Sequence, residues 1–254
     1  MNIKTTFLSL STGVMLLALT APAHAAFSWK FNNSPASTGT PNGTSITATA
    51  SAWASSSTAS NGGAGNLQSA NLNQFNGGLG VSPSGIGESA PNHATDNDGR
   101  KESILFSFSQ SIALTSIYMG YVSGDADFSL LRYTGAGGPN LASNSYGTLQ
   151  SNGWELVSDV YYNGGYIDSS NTNTGRTAND INTGMLTSSY WLVAAANTAF
   201  GFGSAWVGND YFKLKKVYGK TVTPPSTGVP SPNTLPLLAI ALLGMGWANR
   251  RKKV

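Results

Sequence analysis

"SILFSFSQ" (residues 103–110) decides the fold class. Side chains of an extended chain alternate with a period of two, so Ile104, Phe106 and Phe108 fall on one face. The same period recurs in both directions from this stretch. Upstream, Phe27, Trp29 and Phe31 alternate with Ser28 and Lys30, and "TSITATASAWASS" (44–56) repeats the pattern through Ile46, Ala48, Ala50 and Ala52. Downstream, "IALTSIYMGYV" (112–122) and "DFSLLRYT" (127–134) are separated by "SGDA", whose residues suit a hairpin turn. "WELVSDVYY", "SYWLVAAAN" and "DYFKLKKVYG" supply three further strands. Residues 55–92 are rich in Gly, Asn and Ser and read as loops around short extended pieces, and 163–184 as a long polar loop. No stretch between the termini has helical periodicity. The expectation is an all-β fold over 26–220, an antiparallel β-sandwich of jelly-roll type.

The chain has 254 residues, no cysteine, 30 glycines and only 10% charged residues. A globular chain is typically about a quarter charged, so this surface is neutral and polar. Absence of cysteine excludes a disulfide framework, thiol nucleophiles and thiolate metal sites.

Both ends read as processing signals. Lys4, the apolar stretch Phe7–Leu19 and the small-x-small site Ala23-His24-Ala25 form a Sec signal peptide over 1–25, cleaved to leave Ala26 first. This implies the Sec translocon and signal peptidase as partners. "TVTPPSTGVPSPN" (221–233) is extended Pro/Ser/Thr linker chemistry, assigned as linker over 221–228. An uncharged run from Leu235 to Ala248 follows, a transmembrane helix over 235–249 with Asn249, then Arg250, Arg251, Lys252 and Lys253 in the basic tail 250–254. Leu235–Ala248 would extend about 21 Å as a helix, against a hydrocarbon core of about 30 Å. The four cations hold that end in the cytoplasm and put the β domain on the far side of the inner membrane. Five of the 14 cations and none of the 11 acids lie in these signals, leaving nine cations and 11 acids in the domain, a net of −2. Nucleic-acid binding through a basic patch is thereby excluded.

Val229-Pro230-Ser231-Pro232, the apolar run and the Arg/Lys cluster resemble a PEP-CTERM sorting signal over 229–254, with Ser231 where the motif usually carries Glu. The stretch from His93 to Gly135, with "SYWLVAAAN" and "DYFKLKKVYG", is similar to exosortase-dependent surface proteins. The resemblance implies a Gram-negative origin, transient retention in the inner membrane and cleavage by an exosortase near Pro230–Pro232. It also implies a final place at the cell surface or in an exopolysaccharide-associated biofilm matrix. No catalytic pattern comes with it, and the expectation is a protein that is not an enzyme. The alternatives are a polysaccharide-binding or polysaccharide-modifying module delivered by the same route, and a permanently anchored periplasmic domain.

Within the domain, His93 is the single histidine, and no G-x-S-x-G elbow accompanies it. It reads as a solvated loop residue. "HATDNDGRKE" (93–102) concentrates polar groups, and Asp96, Asp98 and Glu102 offer oxygens for a structural calcium ion. The same residues also suit an Asx-turn ahead of a strand. No other cofactor is implied. Trp29, Trp154 and Trp191 fit strand cores, whereas Trp53 and Trp206 lie in less regular surroundings and are the candidates for stacking on a glycan.

Overall fold

The structure, a computed structural model, describes residues 26–31, 34–40, 45–58, 65–161, 176–203 and 208–222. The expected signal peptide (Ala23 and Ala25 included), the chain from residue 223 onward and Trp206 lie outside the described residues. Among the described residues, no helix is long and apolar enough to cross a membrane.

Among the described residues, twelve strands carry the fold: β1 (Ala26–Lys30), β2 (Ala36–Gly39), β3 (Ile46–Ser55), β4 (Leu67–Phe75), β5 (Gly78–Ser82), β6 (Thr95–Asp96), β7 (Glu102–Gly124), β8 (Phe128–Tyr133), β9 (Trp154–Val160), β10 (Arg176–Ala178), β11 (Ser188–Ala195) and β12 (Asp210–Lys220). Two short 3₁₀ turns, at Tyr146–Thr148 and Gln150–Asn152, are the helical elements among the described residues. The protein is thus nearly all β, as its alternation requires. Every pairing between these twelve strands is antiparallel.

All twelve strands belong to one sheet that closes on itself in the manner of a barrel. β3 pairs with β4, β4 with β5, β5 with β12, β12 with β7, and β7 returns to β3. A wing of β11, β8 and β9 continues from β7. The organising element is β7, 23 residues long. "SILFSFSQ" and "IALTSIYMGYV", legible in the sequence as two strands, are one. From Glu102 to Phe108 the strand lies against β3, and from Ala113 to Gly124 against β12. Its exposed residues Ser109, Gln110 and Ser111 fall where it passes from one neighbour to the other.

Two departures from the sequence reading follow from this topology. Residues 55–92 hold β4 and β5, not only loops with short extended pieces. Their strand character comes from ladder partners rather than from β-branched side chains, and tertiary pairing overrides the weak local propensity. The segments joined by "SGDA" do not form a hairpin, because β11 lies between β7 and β8.

Phe27, Trp29, Phe31, Ile104, Phe106, Phe108, Phe128, Trp191 and Phe212 dominate the main core. Trp29 and Trp191 are fully buried. The opposite face of the β3–β7–β11–β8 region carries a second apolar cluster built on Leu67, Leu131, Leu141, Tyr146, Leu149, Trp154, Leu192 and Ala194. β11 therefore buries Trp191 and Val193 on one side and Leu192 and Ala194 on the other. That double burial is why "SYWLVAAAN" is apolar without alternation.

Candidate metal centre

The polar cluster at 93–102 is held against the sheet by two features. β6 pairs with the start of β12, Asp96 opposite Tyr211 and Thr95 opposite Phe212. On its other side the chain runs close over β5, where Val81 N donates to Ala94 O at 3.2 Å. A Cβ at Gly80 would lie 2.3 Å from the His93 carbonyl oxygen, so only glycine permits this approach.

The structure brings Asp96 and Glu102 together and adds Glu88, which the sequence pattern did not single out. One carboxylate oxygen from each of the three lies within 4.8 Å of the others. Glu102 Oε2 accepts a 2.9 Å hydrogen bond from Asp96 N, and Asp96 Oδ1 accepts one of 2.9 Å from Asp98 N. The second of these closes an Asx-turn, so this part of the sequence reading describes real local geometry. The remaining oxygens, Glu88 Oε2, Asp96 Oδ2 and Glu102 Oε1, are buried without hydrogen-bond partners. Asp98 is directed elsewhere: its Oδ2 accepts from Asn92 Nδ2 and from the Tyr211 hydroxyl, each at 3.0 Å.

Burial pushes the Asp96 carboxyl up to about 9, with the Glu88 charge adding to it. Burial, then the Asp96 charge, also holds Glu102 well above the usual carboxylate range. Glu88 rises by burial too, opposed by a hydrogen bond with Ser82. The Lys101 ammonium, which donates to Asn97 O, is depressed by its own burial although Asp96 favours its charge. Carboxylates this close oppose one another's ionisation: the Glu88 charge raises both Asp96 and Glu102, and Asp96 raises Glu102.

A second acidic group, Asp125, Asp127 and Asp210, is constructed differently. Asp210 Oδ1 accepts from Asp127 N at 2.7 Å, Asp210 Oδ2 from Asn97 Nδ2, and Asp210 N donates back to Asn97 Oδ1 at 2.9 Å. Asp125 Oδ1 accepts from Ala126 N at 2.8 Å. These carboxylates tie backbone to backbone at the head of β12. Burial pushes Asp210 up to about 8 against those donors.

His93 packs edge-on against the Phe75 ring, with Lys213 Nζ 3.5 Å from its Nε2. It is thus a packed residue rather than a freely solvated one. Burial, then the Lys213 charge, lowers its pKa.

Trp53 lies on β3, half-buried, against the second apolar cluster, and its Nε1 donates to Ser51 Oγ at 3.2 Å. On that same face an open groove of about 480 Å³ is lined by Ser111, Arg132, Tyr133, Thr187, Ser188 and Tyr190, among others. Arg132 is fixed by Glu155 Oε2, 2.7 Å from Nη2 and 3.1 Å from Nε, and by Thr187 O, 3.1 Å from Nη1. Tyr133 stands edge-on to Tyr190 with ring centroids 6.2 Å apart. Hydroxyls, a fixed guanidinium and two aromatic rings suit a polar, ring-shaped ligand. No protein-family model matches the chain, and no curated protein does.

Proposed function

We propose that this chain is an exported bacterial surface or extracellular-matrix protein, sorted and cleaved by an exosortase, whose folded domain is non-enzymatic. The Sec translocon, signal peptidase and exosortase are its processing partners, and exopolysaccharide is its neighbour at the destination. The closed sheet is read as a jelly-roll-like sandwich, with the two stretches of β7 contributing to its facing layers.

The observation that carries this reading is the register of one strand pair. Ala26, the first residue after the expected cleavage site, already pairs with Lys220, the last residue of β12. The Pro/Ser/Thr linker begins at the next residue. The described strands all lie between the two expected processing points, so removing the signals takes none of them. Intact mass of surface protein from cells carrying an exosortase tests the reading. The expected species starts at Ala26 and lacks everything after about Pro232. A species retaining "LLAIALLGMGWANRRKKV" overturns sorting in favour of a permanent anchor.

A second reading, polysaccharide binding by the delivered domain, is favoured by the groove between Arg132, Tyr133 and Tyr190.

A further inference from the structure

Glu88 belongs to the connection after β5, Asp96 to β6 and Glu102 to the start of β7, so their carboxylates join three separate segments. Asp96 and Glu102 are 1% and 0% exposed, yet each keeps one oxygen with no hydrogen-bond partner. An unpaired buried carboxylate oxygen is strongly unfavourable. By contrast, Asp125 Oδ1 and both Asp210 oxygens are taken up by backbone and amide donors. The orphaned oxygens, rather than the mere density of acids, distinguish the first cluster.

We infer that Glu88, Asp96 and Glu102 form a binding site for one calcium ion. The donor set is carboxylate oxygen alone, without imidazole or thiolate, which selects a hard cation. Three carboxylates brought together from three segments suit Ca²⁺, which takes six to eight oxygens in flexible cages, better than Mg²⁺, which keeps several waters and is usually held by one or two carboxylates. Glu88 is only partly buried and is the least enclosed of the three residues. Bound there, the ion clamps the 83–94 connection to β6 and β7 and replaces repulsion among the three carboxylates with attraction. The assignment does not depend on how the chain is exported.

Thermal melting of the full-length chain in detergent, with EDTA or with added CaCl₂, tests it. A tenfold excess of Ca²⁺ over its dissociation constant should raise the melting temperature by about 3–6 °C, and equal Mg²⁺ by clearly less. Equilibrium dialysis with radioactive calcium should give one ion per chain. E102Q and D96N keep the side-chain shape but remove the charge, and should lose the calcium shift. D125N, in the second acidic group, should keep it. Should the first two variants fail to fold, dialysis of the unaltered chain and the D125N melt still decide. Absence of bound calcium at millimolar concentration overturns the site, as does a shift that persists in E102Q. A Mg²⁺ shift equal to that of Ca²⁺ overturns the choice of ion.

Discussion

Trp29 Nε1 donates a 2.7 Å hydrogen bond to the carbonyl oxygen of Ile46, linking β1 to β3 where both residues are fully buried. The Trp29 ring also stacks on Phe27 and meets Phe108 edge-on. Trp29→Phe removes the donor, leaves that carbonyl without this partner and opens a small void. The expected loss is about 2–4 kcal/mol of unfolding free energy. In urea the midpoint should fall with an unchanged m-value. A loss below roughly 0.5 kcal/mol would mean that the bond and the packing around it contribute little.

Lys213 is almost wholly buried, with Nζ 3.8 Å from the Phe75 centroid, 4.5 Å from that of Tyr121 and 3.5 Å from His93 Nε2. Burial depresses its pKa to about 8. A base depressed on folding contributes stability that is fully present above its unfolded value, near 10.5, and is lost as pH falls through about 8. Lys213→Met removes this dependence. The variant should therefore gain on the unaltered protein by about 1–2 kcal/mol between pH 10 and pH 7, after allowance for solvent screening. Any effect of the substitution on packing is independent of pH, so the slope of the difference is the diagnostic. Parallel stability–pH curves would show that Lys213 does not titrate in this window.

If the groove binds polysaccharide, its two tyrosines present the stacking surface. Tyr133→Ala and Tyr190→Ala should each weaken retention on an immobilised glycan by about tenfold or more, equivalent to roughly 1.4 kcal/mol. Glu155→Gln, which loosens Arg132, should weaken it by less, because Glu155 is 44% exposed on its side chain and exposed pairs contribute little. Loss of retention on Trp53→Ala, with both tyrosine variants unaffected, would move the binding surface to β3.

The β character was legible because alternation reports burial directly. Phe27, Trp29, Phe31, Ile46, Ala48, Ala50, Ala52, Ile104, Phe106 and Phe108 all stand on buried positions. The identity of β7 as one strand was not, since Ser109-Gln110-Ser111 interrupts the apolar pattern as a turn would. β5 was hidden for the opposite reason. "GLGVS" is buried at every position and needs glycine for close contact, so it shows neither alternation nor β-branched density. At the acidic cluster, Asp96 and Glu102 were found because they are near in sequence. Glu88 could not be found that way, because the intervening connection folds back through the approach at Gly80. Asp98 has the same chemistry and spacing, yet its carboxylate is taken up by Asn92 and Tyr211. Spacing along a chain identifies neighbours, but only the ladder decides which way each side chain faces.

Pairing of Ala26 with Lys220 sets an order of events as well as a shape. A polypeptide is made amino end first, so β1 exists long before the strand that will cover it. β5, β6 and much of β7 wait for that same partner, β12, which arrives among the last residues of the domain. Contacts between distant parts of a chain form slowly, because the long loop between them must first be closed. A chain stopped anywhere before Asp210 is therefore not a smaller version of this domain. It is an open sheet with several unpaired edges, the state most apt to be clipped or to aggregate. The final eleven-residue strand acts as a test of completeness: a chain that carries it can close, and a broken or unfinished one remains recognisable by its exposed edges.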